Sequence, residues 1–213
     1  MIVTDRVVSN VENYYMKYIS KNDSAHDIHH IRKVYSNILY VNGMLKLNLD
    51  PYMMLLAVYL HDVMVWKDRK QHHTLAMEYV LNTNDKYLKK LTKSERIILA
   101  NAVNEHRSSG DNVFSSTLSE VLSVADTGKL ELHSMLRRSY LYHVGENLGP
   151  DEIDINAVKE VIKHMHEKFG RKGYMVYSDM YHRVYGSEIK QLHDDIDKLT
   201  IDYVVKVLED KKW

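Results

Sequence analysis

Only two prolines, Pro51 and Pro150, and eight glycines interrupt this chain of 213 residues. Proline costs a helix interior about 3 kcal/mol and glycine about 1 kcal/mol, so their scarcity leaves long stretches in which nothing breaks a helix. Through those stretches apolar residues recur three and four positions apart, the period of a helix with one buried face. No stretch alternates well enough to require a strand. The expected fold is all-α, a single-domain helical bundle across residues 1–213.

The periodicity predicts a first helix from about Thr4 to Ile19. Ser24 is expected to cap a second, which carries Ile31, Val34, Ile38, Val41 and Leu45 on one face. Asp50 and Pro51 predict a third start, with Asp as cap and Pro at the first helical position. This helix is apolar nearly all round up to His61, so burial is expected. A polar loop, Lys67 to Gln71, precedes a helix from about His73 to Asn82. Thr92-Lys93-Ser94-Glu95 reads as a capping box for a helix to about His106. Ser108 to Asn112 reads as a loop. A long helix from about Ser116 is expected to bend at Gly128 and run on to about Val144, before a turn at Asn147 to Pro150. Residues 151–213 form a helical extension, one helix from about Ile155 to Phe169 and a final one carrying Ile189, Leu192, Ile196, Leu199 and Tyr203.

Composition narrows the function classes. The 29 basic and 29 acidic residues balance, which gives no general attraction to nucleic acid or to an anionic membrane. No apolar run approaches the roughly 18 residues of a membrane span, and the first fifteen residues lack signal-peptide features. The chain has no cysteine, which removes disulfides and fits a reducing compartment. A cytoplasmic protein is expected, with self-association left open. Nothing resembles a glycine-rich phosphate loop, a serine or cysteine nucleophile motif, or a dinucleotide fingerprint.

The chemistry concentrates in a few positions. His61-Asp62 ends an apolar run, a histidine-rich segment lies upstream at His26, His29 and His30, and Asp126 stands in another apolar stretch. Each has a plain structural reading: a core histidine, a solvated face, a turn acid beside Gly128. Together they are oxygen and nitrogen donors suited to a divalent metal. Two aspartates in apolar surroundings are costly unless paired, protonated or bound to a cation.

In this order the segments resemble the HD-domain superfamily of metal-dependent phosphohydrolases, most closely its small bacterial and phage members. Its first motif, His-Asp-x-x-His-Ile-x-Arg-Val, reads here His26-Asp27-Ile28-His29-His30-Ile31-Arg32-Lys33-Val34. The second matches Ala57-Val58-Tyr59-Leu60-His61-Asp62-Val63 and the third Ala125-Asp126-Thr127-Gly128-Lys129-Leu130. A looser match is His164-Met165-His166-Glu167-Lys168-Phe169. The core motifs span residues 24–130. The resemblance implies a metal held by His30, His61, Asp62 and Asp126, with Mn, Fe, Co, Ni, Zn or Mg all open. His72 or His73, with His106, would supply a second metal or phosphate-binding imidazoles. The implied substrate is a small-molecule phosphate, in particular a nucleotide, cleaved at an ester or anhydride. Lys33, Lys67 and Lys168 are the expected phosphate partners, with Arg137 or Arg138 behind them. Trp66 either stacks on a base or, more simply, packs in the core.

One departure bears on catalysis. Many members carry an acid three positions after the Asp of the dipeptide, and here that position is Val65. The proton-transfer role then falls to Asp27, Asp68, Glu105 or His106, so that Asp62, Asp27 and His106 stand as the catalytic set. The alternative is an HD-fold module that binds metal and nucleotide with little or no catalysis.

Overall fold

The computed structural model describes residues 2–107, 113–144 and 153–210. Among them are ten α-helices and no strand, as the missing breakers predict. No described helix is long and apolar enough to cross a membrane. The expected loop at Ser108–Asn112 and the expected turn at Asn147–Pro150 lie outside the described residues. The chain groups into two compact units, the first ending at Gly128 and regaining Ser178–Val184, the second holding the rest.

The first unit contains α1 (Asp5–Ile19), α2 (Ile28–Leu45), α3 (Pro51–Leu60), α4 (His72–Asn82), α5 (Lys93–Glu105) and α6 (Thr117–Thr127). Helix α3 is its centre. The Asp50 carboxylate accepts from the Tyr52 and Met53 N–H groups, and Pro51 opens the helix. Every residue from Tyr52 to Leu60 is buried, because α1, α2, α5 and α6 all pack against it. Each fully buried Leu or Val contributes about 1.5–3 kcal/mol, so α3 anchors the unit. The Thr92–Glu95 capping box forms as expected.

Asp27, rather than Ser24, caps α2, accepting from the His29 and His30 N–H groups. Asp23 caps a short 3₁₀ turn at Ser24–His26. An acid directly before the first turn satisfies its free N–H groups better than a hydroxyl three residues further back can. The long helix expected across Gly128 is two helices, α6 ending at Thr127 and α7 beginning at Leu132. Gly128 has φ of +60°, which suits glycine. A Cβ there would stand 2.6 Å from Asn37 Nδ2, whose own hydrogen bond to the Ala125 carbonyl (2.8 Å) ties α2 to α6.

Sixteen tyrosines stand against two phenylalanines in the sequence, and the first unit gives part of the reason. Its aromatic rings fill the core while their hydroxyls find acceptors on neighbouring segments. Tyr15 and Tyr79 both donate to the buried Asp85, at 3.1 and 2.9 Å. Asp85 also accepts from the Tyr87 and Leu88 N–H groups. Tyr52 donates to the Tyr87 carbonyl, Tyr87 to the Asn10 carbonyl and Tyr59 to Glu12. Asp85→Ala strands several buried donors at once, and each costs roughly 1–3 kcal/mol. Urea unfolding is expected to show a loss of about 3 kcal/mol or more, whereas a loss within 0.5 kcal/mol, the size of an ordinary surface change, would remove Asp85 as the organiser of this cluster.

The second unit contains α7 (Leu132–Val144), α8 (Ile155–Phe169), α9 (Asp179–Ile196) from Tyr185 onward, and α10 (Ile201–Glu209). Its core is Leu136, Val158, Val161, Met165, Leu192, Ile196, Val204 and Val207. The single final helix expected from the spacing of Ile189 to Tyr203 is instead α9 and α10. Thr200 stops the run by adopting an extended backbone and accepting from the Tyr203 N–H. Periodicity persists across the break because both helices face the same core.

Candidate metal centre

Five helix ends of the first unit deliver the chemistry. The Asp27 cap places His30 on the first turn of α2. His61 closes α3 and Asp62 opens the turn after it. His72 begins α4, His106 closes α5 and Asp126 stands at the end of α6.

His30, His61, Asp62 and Asp126, the four expected ligands, come together. His30 Nε2 lies 3.3 Å from Asp62 Oδ2 and 3.2 Å from Asp126 Oδ1. His61 Nε2 lies 3.2 Å from Asp62 Oδ2, 3.6 Å from Asp126 Oδ1 and 3.4 Å from His30 Nε2. Ligand bonds of about 2.1 Å put donor atoms about 3.0 Å apart at right angles and about 3.4 Å apart in a tetrahedron. The observed spacings match such edges.

Asp62 carries a second group on its other oxygen. Its Oδ1 lies 3.3 Å from His72 Nε2 and 3.9 Å from His106 Nε2, and the two imidazole nitrogens are 3.2 Å apart. His72, not His73, is the histidine that enters the cluster; the His73 ring packs beside that of His72 at 5.6 Å. Asp62 therefore bridges a His30–His61–Asp126 group and a His72–His106 group.

Three of the rings have their tautomer set by the backbone. Nδ1 of His61, His72 and His106 faces the carbonyl three residues earlier, Val58, Arg69 and Val103, at 2.7 to 2.8 Å. A carbonyl only accepts, so Nδ1 carries the hydrogen and a neutral ring presents an Nε2 lone pair to the cluster. Asp62 Oδ2, which faces His61 and His30, is buried and takes no hydrogen bond. Lone pairs of imidazole and carboxylate facing one another at 3.2 to 3.9 Å repel unless a positive charge sits among them. A proton or a metal cation meets that need, and the donor set fits a divalent ion that accepts nitrogen and oxygen.

The two groups differ in how they hold protons. Burial works against charge on His30, but the Asp126 and Asp62 carboxylates override it and raise its pKa to about 9. His61 is likewise raised, against burial, by the charge of Asp62 and by Asp126. Asp62 and Asp126 are held well below the usual carboxylate range by the same imidazoles, again against burial. His72 goes the other way, lowered chiefly by burial. Burial and the neighbouring His61 push His106 down to about 4. Metal entering the first group must displace protons; the second pair is already neutral.

The other residues predicted from sequence fall in several places. Asp27 is occupied as the α2 cap. Asp68 accepts from the Lys70 and Gln71 N–H groups, and Glu105 from Ser115 N–H and Oγ. Lys33 is exposed one turn beyond His30, and Lys67 is exposed at the end of the turn that Asp62 begins; neither has an ion pair among the described residues. Lys168 is in the second unit, its ammonium 4.9 Å from the Phe169 ring centre, with burial and Arg138 lowering its pKa. Val65 is buried and apolar. Trp66 is not a core residue: it is 41% exposed, and the Lys21 ammonium sits 4.5 Å from its ring centre.

Two features were missed in the sequence. His26 Nδ1 meets the Asp23 carboxylate at 2.6 Å, and its ring lies 5.9 Å from His30 and 6.4 Å from His72. Burial raises the Asp23 pKa, but His26 and then Arg69 bring it below the usual value. The spacing Asp-x-x-His was the available signal. Arg107 donates to the Lys70 carbonyl at 3.1 Å, and its charge lowers His72 and His73 after burial. Only its place next to His106 could have pointed to it. The chain matches no protein-family model, no curated protein and no solved structure.

Proposed function

We propose that the chain is a metal-dependent phosphohydrolase that cleaves a phosphate ester or anhydride of a nucleotide. One observation carries the reading: Asp62 turns one oxygen to His30 and His61 and the other to His72 and His106. Such a bridging carboxylate between imidazoles suits a pair of divalent cations. Cations bound there would supply Lewis acidity, lowering the pKa of water and neutralising charge on a phosphoryl group. Phosphoryl transfer otherwise asks for positioning and electrostatics, and the chain's own residues are suited to both. Asp62 and Asp126 fix the anionic side of the centre. The His26–Asp23 pair can hold a proton at His26 Nε2 while Asp23 orients the ring, the role that Val65 leaves vacant. Arg107, Lys33 and Lys67 are cations of the first unit available to further phosphate oxygens. The nucleotide is implied by the HD-type motifs alone.

A second reading, a metal-binding module that senses a nucleotide without hydrolysing it, is favoured by the apolar Val65. The test is direct. Protein loaded with Mn²⁺ or Co²⁺ is incubated with nucleoside mono-, di-, tri- and cyclic phosphates, and released phosphate, pyrophosphate and nucleoside are measured. Turnover that a chelator abolishes and metal restores is the expected result. Tight nucleotide binding by calorimetry with no product from any substrate would replace the enzyme by the sensing module.

A further inference from the structure

We infer that Asn22 is a positioning residue of the metal centre, its amide tying the backbone of Asp62 to the segment that precedes His30. The inference rests on the metal-binding reading above. Asn22 lies just past α1, outside every motif in the sequence. Its Nδ2 donates to two carbonyls, those of His26 and Asp62, both at 3.1 Å. Its Oδ1 accepts from the Trp66 N–H at 3.0 Å. Both hydrogens and the acceptor of the amide are thus used. One planar group holds three separate stretches of chain: the 3₁₀ turn before α2, the first residue after His61, and the end of the turn that follows.

The location gives these bonds their consequence. Asp62 lies beyond the last residue of α3, so no helical hydrogen-bond ladder sets its backbone. Its carbonyl is held by the Val65 N–H within the turn and by Asn22 from outside. The orientation of that backbone decides which way each carboxylate oxygen faces, and the two oxygens serve different histidine pairs. The His26 carbonyl belongs to the turn that leads into the Asp27 cap, which in turn sets His30. Asn22 therefore spans the two segments that carry His30 and Asp62. Lys21 reinforces the same turn by lying over Trp66.

A purely structural amide would stabilise the fold without changing the affinity of folded protein for metal. A positioning amide must change that affinity. Partners that orient ligands typically contribute about 10–100-fold to metal affinity. Mn²⁺ and Co²⁺ titrations of wild type and Asn22→Ala, run well below both melting temperatures, are expected to show affinity at least about tenfold weaker in the variant, with a changed Co²⁺ visible spectrum and unchanged helix content. Asp85→Ala, destabilising but remote from the ligands, is the control and should retain wild-type affinity. If Asn22→Ala does not fold, Asn22→Asp is read in the same way, since it keeps the acceptor for Trp66 and loses both donors. Equal affinity and an unchanged spectrum in the variant overturn the inference. Wild-type protein that takes up no cation overturns the metal reading itself, and this inference with it.

Discussion

Replacing Asp62 by Asn is expected to abolish turnover and to empty both halves of the metal centre together. Asn matches Asp in volume, so the packing around the side chain survives and helix content should not change. The charge does not survive, and neither does the second anionic oxygen. One side of the amide offers N–H hydrogens, which point at imidazole lone pairs where a cation is wanted. Whichever way the amide turns, one histidine pair meets N–H hydrogens and the other only a neutral carbonyl oxygen, so both lose their anionic partner. Single substitutions on either side should act more narrowly: Asp126→Asn weakens the His30–His61 group, and His72→Ala weakens the His72–His106 group. Metal content by mass spectrometry, read with turnover, separates these cases. For Asp62→Asn the expected loss of rate exceeds the 10²–10⁴-fold typical of a single acid–base group, because charge stabilisation and the positioning of substrate are lost together. Wild-type metal content in the Asp62→Asn variant would show that the carboxylate does not bridge.

The fold class was legible because helices announce themselves through period and through breakers. Helix α3 could be placed from Asp50-Pro51 and from a run with no polar face, and α8 from its amphipathic stripe. What failed turned on local choices between residues of similar propensity. A glycine at position 128 could bend the helix or end it, and its φ of +60° ends it. The start of α2 turned on which of several capping residues, Asp23, Ser24 or Asp27, the chain would use, and all three types favour caps.

The candidate metal centre was legible in part. The convergence of His30, His61, Asp62 and Asp126 was legible because two acids in apolar helix ends require partners, and because a resemblance suggested their order. The choice of His72 over His73 could not be read, since adjacent residues at a helix start differ only in the direction they face. Asp27, Asp68 and Glu105 looked equally available for proton transfer in the sequence. In the structure their carboxylates serve backbone N–H groups at helix and turn starts. Asn22 carried no signal: a lone asparagine after a helix is an ordinary end residue, and only its three partners give it meaning.

Acid and metal should compete at the first half of the centre and hardly at all at the second. Without metal, His30 titrates near 9 instead of its usual 6.5, and His61 is also raised. A raised imidazole contributes stability that is complete below its unfolded value and lost as pH climbs through its folded value. Asp62 and Asp126, being lowered, contribute stability that is present above the ordinary carboxylate range and lost only in strong acid. His106 and His72, being lowered, contribute stability that is complete above the ordinary imidazole value and lost as pH falls below it. Metal-free protein is therefore expected to be most stable at about pH 6.5 and to lose melting temperature toward pH 9 and toward acid. Metal acts with the opposite sign, because His30 and His61 must shed their protons to bind it. Affinity at that half should rise with pH by about tenfold per unit for each proton displaced. His106, already near 4, and His72, also lowered, are neutral across this window, so their half should show almost no pH dependence. The gap in melting temperature between loaded and chelated protein should accordingly widen from pH 6 to pH 9, and titration in buffers of different ionisation enthalpy should report proton release on loading. A gap that stays constant over those three units would mean that His30 and His61 give up no protons to the metal and are not its ligands.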